Sequence, residues 1–104
     1  MDKSQYIREV MEEQGITQAE LARKIGISRQ GIWDTLDRKN PNFATIRTIF
    51  NALGLEIAVK RMDGKPLDFD MNELFNVLKE DIVGYERVES ILNVIGYKLE
   101  VVDK

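Results

Sequence analysis

Arg29 and Gln30 stand side by side directly after a serine, Ser28, and Asp34 follows one helical turn later. These side chains suit the edges of nucleic-acid bases. Arginine can donate two parallel hydrogen bonds to guanine O6 and N7, and glutamine can pair in two-point fashion with adenine N6 and N7. A carboxylate at Asp34 can accept from cytosine N4, although its charge also repels neighbouring phosphate. The composition narrows the other options. The 104 residues contain no His and no Cys, so thiolate metal sites, disulfides and the commonest general base are absent. There is no phosphate-binding loop of the P-loop kind either. Any catalysis would rest on carboxylates, Lys or Tyr, and the expectation is a protein without enzymatic activity, metal or cofactor.

The elements that must hold these residues can be read from periodicity and caps. Residues 4–13 place Tyr6, Ile7, Val10 and Met11 on one helical face, with Ser4 as N-cap and Gly15 as the stop. Thr17 caps a second helix and Glu20 completes a capping box. Leu21, Ala22 and Ile25 face inward there, and Gly26 closes the helix. Ser28 caps a third, whose apolar stripe reads Ile32, Trp33 and Leu36. Gly31 lies inside it, either for close approach to a partner or simply tolerated. Asn40-Pro41-Asn42 breaks the chain before a fourth helix with Phe43, Ile46, Ile49, Phe50 and Leu53 inward. Residues 56–61 alternate as a strand, Asp63-Gly64 signals a hairpin turn, and 65–69 reads as a returning edge strand. Two more helices, 71–83 and 85–96, and a strand at 98–102 complete the chain. The expected class is mainly α with a small β element. An N-terminal unit of four to five helices is followed by strands and a C-terminal helix–helix–strand unit.

Charge divides the chain. Residues 1–62 carry ten basic and eight acidic residues, whereas 63–104 carry five basic and ten acidic, against an overall net charge of −3. No apolar run approaches the 18 or so residues of a membrane span, and no export leader is legible, so a cytoplasmic protein is expected.

A second pattern joins the halves. Sliding 28–62 onto 70–104 sets Ile32 on Leu74, Trp33 on Phe75, Phe43 on Tyr85, Ile49 on Ile91, Leu53 on Ile95 and Gly54 on Gly96. Either the chain holds a degenerate internal repeat, or generic helical and strand periods produce the match. The polar set does not repeat, since Met71 and Asn72 stand where Arg29 and Gln30 stood.

The stretch TQAELARKIGISRQGIWDTL, residues 17–36, with its following Asn-Pro loop and a helix ending in Leu-Gly, resembles the lambda-repressor-like (Xre-type) helix-turn-helix family. The resemblance covers roughly residues 3–54 and implies a helix-turn-helix DNA-binding domain over 1–55. It makes Arg29, Gln30 and Asp34 base-contacting positions; many relatives carry a neutral or basic residue where Asp34 stands. It makes Thr17, Gln18, Arg23, Ser28, Arg38, Lys39 and Asn40 backbone-contacting, with Arg47 adding charge nearby. For Arg23, Arg38, Lys39, Asn40 and Arg47 an ordinary solvated surface is the competing reading. The implied partners are double-stranded DNA bearing a palindromic operator and a second copy in a homodimer. Residues 56–69 would then be a strand and hairpin connection, and 70–104 the dimerisation unit. The phrase LGLEIAVKR also resembles the ending of HigA-like and HipB-like antitoxins, which would add a toxin protein as partner.

Overall fold

In the computed structural model, which describes residues 3–37, 41–80 and 82–104, the apolar spacings become helices where expected. Helix α1 (Lys3–Gln14) buries Ile7, Val10 and Met11. Ser4 does not cap it; the helix begins earlier, and Ser4 lies inside the first turn, buried on the stripe that continues through Ile7 and Met11. Helix α2 (Gln18–Ile25) starts in the capping box: Thr17 Oγ1 accepts the Glu20 N–H at 3.1 Å, and the Glu20 carboxylate accepts the Thr17 N–H at 3.4 Å. Gly26 ends it with φ +79°, donating its N–H to the Ala22 carbonyl. Helix α3 (Arg29–Asp37) buries Ile32 and Leu36, one turn apart. Helix α4 (Phe43–Ala52) is capped by Asn42, whose Oδ1 accepts from Ala44 and Thr45.

Strand β1 (Leu55–Arg61) turns Ile57 and Val59 inward. The Asp63-Gly64 turn forms: the Asp63 carboxylate accepts the Lys65 N–H at 3.0 Å and two bonds from the Arg61 guanidinium at 2.7 and 3.1 Å. The returning strand expected at 65–69 does not. Pro66 has no N–H to offer a ladder, and the outward Val59 N–H is met instead by the Met71 Sδ at 3.1 Å. Helix α5 (Met71–Glu80) stops short of the expected residue 83, and helix α6 (Tyr85–Val94) leads into strand β2 (Tyr97–Asp103). Among the described residues no helix is long and apolar enough to cross a membrane.

The two strands pair antiparallel from Leu55↔Asp103 to Arg61↔Tyr97, with Ala58↔Glu100 at the centre. Those central residues are 42 apart, the offset of the apolar match. The same offset governs three further reciprocal sets. Phe43 donates to the Val83 carbonyl and Tyr85 to the Pro41 carbonyl, both at 2.8 Å. Met62 donates to Gly96 and Lys104 to Gly54, at 2.9 and 3.0 Å. The Phe43 and Tyr85 rings stack with centroids 5.5 Å apart. An internal two-fold thus relates 41–62 to 83–104.

The relation fails outside that span. Helix α3 packs on α1 and α2, whereas α5 packs on α4. There Phe75 lies against the Phe43 ring at 5.7 Å, under the Arg47 guanidinium at 4.5 Å. Two positions that the apolar match sets on buried residues are exposed instead: Ile91 at 53% and Ile95, just past α6, at 61%, where Ile49 and Leu53 are buried. Helices α1 and α2 cover that flank of α4. Gln14 seals it by donating to the Leu53 carbonyl at 2.8 Å.

At the centre of the two-fold, the Tyr85 hydroxyl is buried without a hydrogen-bond partner among the described residues, and burial raises its pKa. A buried donor left unpaired costs on the order of 1–3 kcal/mol. Tyr85→Phe should therefore keep the ring stack and raise the unfolding free energy by about 1 kcal/mol in urea titrations. A decrease would mean that the hydroxyl is satisfied in solution.

Candidate nucleic-acid interface

One turn of chain sets the geometry. Gly26 and the Ile27 N–H, which also donates to the Ala22 carbonyl, fold the backbone back before Ser28. Ser28 Oγ then accepts the Gly31 N–H at 2.9 Å and starts α3. A Cβ at Gly31 would stand 3.2 Å from that same oxygen, so the glycine leaves room for the cap. With Ile32 and Leu36 anchored in the core, 100° per residue sets Gln30, Asp34 and Asp37 on the opposite side and Trp33 on the flank. Arg29 stands at the helix start, and all five are exposed.

Trp33 is the correction. It was expected in the apolar stripe, but it is 46% exposed. Ile32 and Leu36 fix the inward direction, and Trp33, 100° past Ile32, stands on the flank of that stripe beside Arg29, four residues before it. Gln18, at the start of α2, meets Arg29, Gln30 and Trp33 around an open hollow of about 460 Å³. One concave surface thus gathers a guanidinium, two amides and an indole.

Gln30 Nε2 donates to Asp34 Oδ1 at 3.0 Å across one helical turn. Asp34 therefore orients Gln30 as well as offering acceptors of its own. Thr17 and Ser28 spend their hydroxyls on helix starts, Thr17 also donating to Glu20 at 3.1 Å. The first N–H groups of α2, at Gln18 and Ala19, lack intrahelical acceptors by the geometry of any helix start, and they lie beside the hollow. Arg23 is exposed in the last turn of α2. Arg47 is turned onto Phe75 on the α5 side of α4, so its charge serves that packing. Arg38, Lys39 and Asn40 lie outside the described residues.

Residues 7–32, running from α1 into α3, match the helix-turn-helix family model. No curated protein and no solved structure matches the chain. The matched segment contains the capped starts of α2 and α3 and three residues that line the hollow, Gln18, Arg29 and Gln30; Trp33 lies just beyond it.

The capping box holds α2 and with it the position of Gln18. Removing the Thr17 hydroxyl by Thr17→Ala should cost about 1 kcal/mol of stability, read by thermal or urea unfolding. A loss of only a few tenths would show that the cap contributes little.

Proposed function

We propose that the chain is a sequence-specific DNA-binding transcriptional regulator of the Xre type, with α3 as its major-groove reading helix and no catalytic step. The observation that carries the reading is the grouping of Arg29, Gln30 and Trp33 on the exposed side of α3, with Gln18 and the α2 start alongside. Arg29 suits guanine and Gln30 suits adenine. The Trp33 indole offers an apolar edge for a thymine methyl and one N–H donor. Gln18 and the free N–H groups of α2 suit a phosphate, which fixes register without reading sequence. Backbone contacts from Lys39 and its neighbours would complete the clamp. A single head of this size reads one half-site, so the working unit is a homodimer on a palindromic operator, blocking a promoter by occupancy.

A rival reading has an observation of its own. Residues 63–104 hold ten acidic and five basic residues, a surface suited to a basic protein, as in an antitoxin that also represses its own operon. A small basic protein encoded beside this chain and co-purifying with it would favour that reading.

Selection of bound sequences from a random DNA pool should enrich an inverted repeat. No enrichment at low salt with folded protein would refute DNA reading. Arg29→Ala should cost about 1–3 kcal/mol of binding and relax one base position, whereas Lys39→Ala should weaken all sequences alike and flatten the salt dependence. Trp33→Ala should weaken specific binding with an unchanged circular dichroism spectrum. Equal, sequence-independent losses for Arg29 and Lys39 would overturn the division of roles.

A further inference from the structure

We infer that β2 pairs with the β2 of a second copy, extending the sheet to four strands, and that the exposed flank of α6 packs in the same interface. The inference rests on the homodimer reading above and assigns its surface.

The hydrogen-bond phase of the sheet identifies the free edge. Met62 donates to Gly96 and Lys104 to Gly54, so even-numbered residues carry the β1–β2 ladder. In antiparallel pairing the alternate residues point the other way. On β1 this outward set is covered: the Val59 N–H reaches Met71 Sδ, and Pro66 and Leu67 lie alongside. On β2 the outward N–H and carbonyl groups of Tyr97, Leu99 and Val101 have no backbone partner among the described residues. The strand is seven residues long and contains no proline or bulge to discourage pairing.

The helix above it carries a matching apolar surface. Helix α6 packs on β2 and against α4. Its flank away from α4 presents Ile91, Ile95 and Val94, the last 86% exposed. By the internal two-fold these positions answer to Ile49, Leu53 and Ala52, which α1 and α2 shield. Helix α6 runs directly into β2 and packs on it, so the uncovered flank adjoins the strand whose edge is free.

Charge selects a second copy and a register. Centred on Leu99, antiparallel pairing sets Lys98 opposite the second copy's Glu100, and Glu100 opposite its Lys98. Centring on Lys98 or on Glu100 opposes like charges directly. Centring on Val101 sets Lys98 against Lys104. The favoured register also brings the outward groups of Tyr97, Leu99 and Val101 into mutual hydrogen bonds. It extends the ladder that already joins Lys60 to Glu100 at 3.4 Å and Lys98 to Glu100 at 3.2 Å.

The test is sedimentation equilibrium of the full chain without DNA. Wild type should be dimeric at tens of micromolar. Val94→Asp lies too far from the core to unfold the chain and should weaken dimerisation at least tenfold. Lys98→Glu and Glu100→Lys should each be monomeric alone, and an equimolar mixture should form a heterodimer, because every opposed pair is then of opposite sign. A monomeric wild type overturns the proposal, and so does a dimer indifferent to all three substitutions. A wild type that stays monomeric until a basic protein is added assigns the flank to that protein, and also overturns it. Because no DNA is present, these outcomes are independent of whether selection enriches a sequence.

Discussion

A single strand leaving a helix cannot stand alone, and the fold depends on how β1 finds a partner. Seven residues with alternate side chains in the core carry N–H and carbonyl groups on both edges. Burying one face is possible only if at least one edge is paired. The chain supplies the partner itself, in β2, through a pairing centred on Ala58 and Glu100. Everything C-terminal to β1 serves that closure. Residues 62–70 lead away from the strand, α5 crosses onto α4, and α6 delivers β2 beside β1.

The helix-turn-helix segment gains from this arrangement without belonging to it. Helix α4 faces α1 and α2 on one flank and α5, α6 and β1 on the others. It is the shared wall between the α1–α3 unit and the sheet unit. Its inward residues Phe43, Ile46, Ile49 and Phe50 are almost fully enclosed, and loosening them would release both units together. The Tyr6 ring, set edge-on to Phe50 at 5.7 Å, ties α1 to the same wall.

Much of the first half was legible in the sequence because its signals are local. The capping box at Thr17 and Glu20, the left-handed Gly26 and the Ser28 cap each depend on residues within a turn of one another. The second half depends on contacts the sequence does not announce. Residues 65–69 follow the Asp63-Gly64 turn signal and read as a returning edge strand, but Met71 fills the edge position that strand would have taken. Ile91 and Ile95 kept the apolar spacing of Ile49 and Leu53, yet periodicity records only which residues share a face, not whether anything covers it. Around the hollow the structure brings Arg29, Gln30 and Gln18 together, and Trp33 joins them from the flank of α3.

The bond from Gln30 to Asp34 bears on what the hollow presents to a ligand. A free glutamine samples many rotamers, and fixing a long side chain costs on the order of 1 kcal/mol of entropy. Here the carboxylate acts as a splint, holding the amide before any ligand arrives. One N–H is tied to the acid, which leaves the carbonyl oxygen and the second N–H free together. The acidic residue thereby narrows what its neighbour can present to the hollow, and does so in the unliganded protein.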